Sequence, residues 1–243
     1  MVNIDTVYQK VLALANKEQR GYITPQEFNL FANQAQMDIF EQYFYDINQF
    51  GRIPGNSTEY SDMLNYLEEK ISLFETQQIL TSSPGTNTYF INRKGDNIYK
   101  IGEIFRDNYL CEKVNEGFVK TIINSPLIKP TATRPIYTLK GEELTIYPFL
   151  QDIDDEEFQG LAGDVTLNYI KKPAKVNWTY IVVGEKALLN NSADDYQDFE
   201  LHISEETDLV IKILQLAGIT LKDPALYEAT TMEDNKNIQQ EKQ

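Results

Sequence analysis

Cysteine, histidine and tryptophan occur once each in 243 residues, as Cys111, His202 and Trp178. One cysteine makes no intrachain disulfide and no cysteine-rich zinc site. One histidine leaves little room for imidazole metal ligation or for acid–base chemistry that needs several imidazoles. Positive charge is scarce as well: 22 Lys+Arg against 37 Asp+Glu gives a formal charge of −15. Such a chain is poorly suited to wrapping DNA or coating an anionic membrane with a basic face. Long apolar runs are missing, far short of the roughly 20 residues that span a bilayer. The opening Met1-Val2-Asn3-Ile4-Asp5 lacks the basic start and apolar stretch of a signal peptide. The 12 glycines never fall as G-x-G-x-x-G or G-x-x-x-x-G-K, so no phosphate-cradling loop is expected. What is present, 42% hydrophobic and 24% charged residues, is enough for a buried core. The expectation is a soluble protein made in a reducing compartment, with no membrane and no cofactor.

Residues 3–80 read as helical. Val7, Val11, Leu12 and Leu14 place apolar groups at helical spacing, and Gly21 breaks the run. A second helix opens on a capping box: Thr24 at the N-cap, Pro25 at the first helical position, Glu27 three residues on, with Ile23 and Phe28 as a hydrophobic staple. No Gly or Pro interrupts Asn29 to Phe50, which predicts a helix of about 25 residues, roughly 40 Å long. Met63, Leu64, Leu67, Ile71 and Phe74 recur at helical spacing in a third. After Ser82-Ser83-Pro84-Gly85 the pattern changes to short runs rich in Tyr, Ile, Val and Thr. Ile136–Leu139 and Leu144–Tyr147 flank Lys140-Gly141-Glu142-Glu143 as a hairpin, and Val165–Ile170 alternates with period two. Helix returns at Ser204, with carboxylates in its first turn and Leu209, Val210, Ile213, Leu214 and Ala217 as its buried face. The expected fold is α+β: an N-terminal antiparallel bundle of long helices, an antiparallel β-rich insertion, a C-terminal helix and an extended tail. The expected domains are 1–82 with 203–229, 83–202, and a docking tail at 230–243.

Candidate chemistry is thin. Asn16 to Glu27 has the outline of an EF-hand loop, but Arg20 puts a guanidinium where Ca²⁺ needs an oxygen, and the capping box already explains Thr24 and Glu27. The acidic run Asp152, Asp154, Asp155, Glu156 and Glu157 reads as a solvated loop, with divalent-cation binding the alternative. Asp194, Asp195, Asp198 and Glu200 read the same way. Cys111 and His202 carry no local nucleophile signature. Lys171, Lys172 and Lys175 near Trp178 and Tyr180 form a small basic-aromatic patch, suited to a partner's acidic surface or to plain solvation. No catalytic residue and no metal ligand is assigned, and an enzyme is not expected. The long helix instead carries Phe28, Phe31, Phe40, Tyr43, Phe44 and Tyr45 around much of its circumference, a pattern usually buried on more than one side. Phe31, Phe40 and Phe44 are therefore candidate contacts to a neighbouring copy. The polar tail, whose apolar residues are Met232 and Ile238, orders only on a partner, which makes Met232, Ile238, Gln239 and Gln240 candidate docking residues.

The block Asn16–Asn29, the following Ala35-Gln36-Met37-Asp38-Ile39-Phe40-Glu41, the strand Val165–Pro173, and the ending Ser204–Val210 with a Gln-rich tail resemble virion structural proteins of crAss-like and related short-tailed bacteriophages. The resemblance spans most of the chain in the same order, and its motifs are structural. It implies a head–tail connector, that is, a neck ring protein similar to a tail adaptor. Such a protein forms a ring, typically of twelve copies, binds the portal protein through its C-terminal tail and other neck or tail proteins elsewhere, and meets DNA only in transit during genome ejection. The implied location is the head–tail vertex of the virion, after synthesis in the host cytoplasm. A tail-fibre attachment or stopper protein is the alternative.

Overall fold

The structure is a computed structural model, which describes residues 1–17, 23–50, 58–80, 87–149, 164–184, 186–220 and 232. The chain divides into two compact units, one of Met1–Leu73 with Pro173–Gln243, the other Phe74–Lys172. The boundaries expected from sequence fall at 82/83 and 202/203. In the structure Phe74–Leu80 lie with the β-rich unit, and the chain from Pro173 lies with the helical one.

The first unit holds helices α1 (Ile4–Lys17), α2 (Pro25–Phe50) and α3 (Thr58–Ser72), hairpin strands β9 (Tyr180–Val183) and β10 (Lys186–Leu189), a 3-10 turn (Ile203–Glu205) and α5 (Glu206–Thr220). The start of α2 is the capping box. The Thr24 amide donates to Glu27 Oε2 at 2.9 Å and the Glu27 amide donates to Thr24 Oγ1 at 3.3 Å. Ile23 and Phe28, flanking the cap, are both buried. Along α2, Asn29, Asn33 and Gln36 stand at positions i, i+4 and i+7 and so share one face. They satisfy the backbone of the extended segment 174–178. Asn29 accepts from the Trp178 amide at 2.9 Å and donates to the Trp178 carbonyl at 3.2 Å. Asn33 accepts from the Val176 amide at 3.0 Å and donates to the Val176 carbonyl at 2.9 Å. Gln36 donates to the Ala174 carbonyl at 2.8 Å. A helix face thus does the work of a neighbouring strand, so the segment buries its peptide groups without a sheet. Trp178 follows as an anchor, its indole N–H donating to Asp5 at 2.9 Å and its ring centroid 4.0 Å from that of Tyr8.

The expected N-terminal bundle of long helices is not formed. Only α2 is long, at 26 residues, while α1, α3 and α5 have 14, 15 and 15. With three sheets, the molecule is a β-rich mixed fold. Two physical reasons account for the difference. Residues 75–80 leave the helical pattern for strand β1, which pairs along its whole length with strand β8 (Val165–Lys171). And part of the α2 surface meets an extended segment instead of another long helix.

The second unit is a sandwich of two four-stranded sheets. One has the order β1 (Glu75–Leu80), β8 (Val165–Lys171), β3 (Ile98–Arg106), β4 (Tyr109–Leu110), all antiparallel. The other has the order β2 (Thr88–Phe90), β7 (Glu143–Tyr147), β6 (Ile136–Lys140), β5 (Glu112–Lys113). The expected hairpin is β6–β7, with Gly141 at φ 64° in its turn. The β5–β6 pair is parallel, and parallel neighbours require a crossover, here the short helix α4 (Glu116–Ile123). Leu80, Ile104, Val165 and Leu167 from one sheet meet Tyr89, Tyr137, Leu144 and Ile146 from the other in a single core. Ile136 and Thr138 face away from that core yet are buried too, because the crossover with Val119 of α4 covers them.

Candidate assembly surfaces

Three exposed surfaces stand out. The first is the β9–β10 ribbon. Its root is fixed, with Tyr180 stacked on Trp178 at 5.8 Å and the Asn190 amide donating to the Thr179 carbonyl at 2.9 Å. Its body is bare: Ile181, Val182 and Val183 are 50%, 67% and 54% exposed although successive strand residues point to opposite faces. Leu188 across the ribbon is exposed as well. The sheet has two strands, so both outer edges are unpaired among the described residues. A two-stranded ribbon with neither face covered is marginal in water and is a template for association.

The second surface is the outer face of the β1–β8–β3 layer. The register between β3 and β8 shifts between Ile101 and Ile104, a bulge in the ladder. At this bulge Gly102 lies so close that a Cβ would sit 3.0 Å from the Asn168 carbonyl oxygen. The result is a groove of about 500 Å³ whose lining includes Glu75, Gln77, Glu103, Asn168 and Ile170. Glu75 and Glu103 have no cation partner among the described residues. Ile79, on the same face of β1, is two-thirds exposed.

The third surface is the crossover itself. Residues 112–140 hold Lys113, Lys120, Lys129, Arg134 and Lys140 against two acids, Glu112 and Glu116, a basic island in a chain of charge −15. Arg134 and Lys140 stand 3.8 Å and 3.9 Å from Glu112 and Glu116, long and exposed pairs worth little. Lys113, Lys120 and Lys129 have no carboxylate partner among the described residues. Between them Phe118 is 64% and Leu127 91% exposed, with Ile128 half exposed. This surface escaped the motif reading because its residues match no pattern; a running charge count along the sequence finds it.

The residues singled out from sequence are placed as follows. Phe40 is fully buried in its own unit, in edge contact with Phe44 at 5.1 Å, and Phe31 and Phe44 are half-buried. Met232 is exposed, while Ile238, Gln239 and Gln240 lie outside the described residues, as do Arg20 and the acidic run Asp152–Glu157. Glu27 is engaged by Thr24, whose amide and then hydroxyl hold its carboxyl below the usual range. Asp198 accepts from the Ile4 amide at 2.8 Å, Glu200 from the Ala174 amide at 2.9 Å, and Asp195 from the Asn177 side chain at 2.9 Å. Asp198 fastens the irregular segment 173–202 to α1, and Glu200 and Asp195 brace it internally. Trp178 is buried, so the basic-aromatic patch has no exposed tryptophan, and Lys171 and Lys172 belong to the other unit from Lys175.

Cys111 is buried in the β-rich unit, where desolvation pushes its thiol up to about 11, and His202 caps the 3-10 turn of the helical unit. They belong to different units. Arg106 is enclosed, its Nη1 donating to the Pro148 carbonyl at 2.8 Å. Among the described residues no helix is long and apolar enough to cross a membrane. No family model matches this chain, and no curated protein matches it.

Proposed function

We propose that this chain is a non-enzymatic virion protein, the subunit of a head–tail connector ring that joins the portal of a short-tailed bacteriophage to its tail and lets DNA pass. The order and extent of the sequence resemblance favour the phage setting. The observation that carries assembly is the β9–β10 ribbon, bare on both faces and open on both edges. Burying Ile181, Val182, Val183 and Leu188 against neighbouring subunits or a partner of the neck stabilises what an isolated chain leaves in water. The charge of −15 fits a transit role. Summed over a ring of about a dozen copies, a negative lumen repels the phosphate backbone and lets the genome slide. A lumen lined by Lys171, Lys172 and Lys175 would contradict this.

The test is electron microscopy of the purified chain and of virions. Rings at the head–tail vertex support the reading; a peripheral location would favour a fibre-attachment role instead. The tail containing Met232, Ile238, Gln239 and Gln240 is assigned to the portal. A chain ending at Thr230 is expected to fold and still form rings but to lose portal binding, measured by co-sedimentation.

A further inference from the structure

The three surfaces differ in chemistry, and two of them are complementary. The crossover offers Lys113, Lys120 and Lys129, without a carboxylate partner among the described residues, on the same segment as exposed Phe118 and Leu127. The β1–β8–β3 groove offers Glu75 and Glu103, without a cation partner among the described residues, with exposed Ile79 farther along the same face of β1. Both belong to one unit, Phe74–Lys172. They also lie on opposite sides of it. The groove is on the outer face of one sheet, away from the shared core, and α4 covers the outer face of the other sheet, where Ile136 and Thr138 are buried. One unit cannot bring its own two outer faces together, but successive copies can.

We propose that the α4 crossover of one copy seats on the β1–β8–β3 groove of the next, so that the β-rich unit supplies the repeating head-to-tail contact of the assembly. The proposal rests on the ring reading above and names the surfaces that make it. A contact between two different faces is heterologous: it passes from copy to copy and closes into a ring when the rotation allows. Charge selects the partner. Lys120 and Lys129 of one copy neutralise Glu75 and Glu103 of the next, while two like faces would bring lysine to lysine or glutamate to glutamate. Apolar area supplies the affinity, since Leu127 and Phe118 leave water against Ile79 and the half-buried Ile170. Nucleic acid is a poorer occupant, because a phosphate backbone neutralises lysines but leaves Leu127 exposed. An anionic membrane would take both the lysines and the apolar tip, and the experiment separates that case.

The experiment is charge reversal with rescue, read by sedimentation velocity of the full chain. K120E/K129E and E75K/E103K are each expected to weaken self-assembly at least tenfold. All four positions are at the surface, and fluorescence of the single Trp178 with circular dichroism checks that each variant is folded. The quadruple variant, with charges exchanged, is expected to regain assembly. An equimolar mixture of the two double variants makes both contacts between unlike copies attractive and both between like copies repulsive, so it should assemble with the two variants alternating, although neither assembles alone. Assembly that persists in both double variants, or no rescue in the quadruple one, would overturn the contact while leaving the ring reading in place. A wild-type chain that stays monomeric at all concentrations would sink both. Wild-type binding to phosphatidylserine vesicles that K120E/K129E abolishes, with self-assembly untouched, would assign the lysines to a membrane and also overturn the proposal.

Discussion

The polar ladder on α2 makes the most quantitative prediction. Asn33→Ala removes two hydrogen bonds to Val176, of 3.0 Å and 2.9 Å, and leaves the amide and carbonyl of a residue that is only 2% exposed. A net hydrogen bond contributes about 1 kcal/mol, and a buried group left unsatisfied costs about 1–3 kcal/mol. Alanine returns roughly 0.5 kcal/mol of helix propensity at this position. The net loss is therefore about 2 kcal/mol. The assay is urea unfolding followed by the fluorescence of Trp178, which lies two residues beyond Val176 and is buried against Tyr8. With a slope on the order of 2 kcal/mol per molar, the midpoint falls by about 1 M at unchanged slope. Protein concentration is held constant, because assembly shifts apparent stability. Asn33→Asp is the informative control: it keeps the acceptor for the Val176 amide but sets a carboxylate against the Val176 carbonyl, so it should not rescue. A loss below about 0.5 kcal/mol, with the Val176 amide still protected from hydrogen exchange, would refute the view that the helix side chain replaces a strand.

Two further predictions follow from buried groups. Lys70 and Glu205 form a 2.6 Å ion pair with both side chains under 10% exposed. Lys70→Ala is expected to cost about 3–5 kcal/mol by stranding the carboxylate, whereas Lys70→Met with Glu205→Leu should recover most of it; equal thermal shifts for the two variants would contradict a desolvated pair. Burial holds the Cys111 proton up to about 11, so between the unfolded thiol value near 9 and that point the folded state binds more protons than the unfolded one. Stability should fall as pH rises through this window. Tyr89 and Tyr137, also raised by burial, act in the same direction. The check is the difference from Cys111→Ala, whose pH dependence should be shallower; identical slopes would place the thiol in solvent.

What could be read in the sequence was local. The capping box at Thr24 and Glu27 needs four residues and its partners are its own neighbours. The β6–β7 hairpin likewise brings together strands only a turn apart. The misreadings involve partners distant in the chain. Glu75–Leu80 became a strand because β8, some 90 residues later, pairs with it. The stretch 173–202 left the β-rich unit because Asn29, Asn33 and Gln36 hold its backbone from α2. Phe40 looked like one of several aromatic groups available to a neighbour, but its own unit encloses it. Among the exposed apolar groups, Val182 and Leu127 lie on a ribbon and a turn whose surroundings no periodicity encodes.

Composition by itself decided that this chain has no intrachain disulfide, a single imidazole and a large excess of negative charge, because those are counts. It could not decide where charge collects. Lys120 and Lys129 became a surface only when the parallel β5–β6 pair forced a crossover between them, and Glu75 and Glu103 met in one groove only when a bulge in β3 aligned them across β8. A net charge is a sum over residues, but a docking face depends on which residues a sheet brings together and on which side of the core it leaves them.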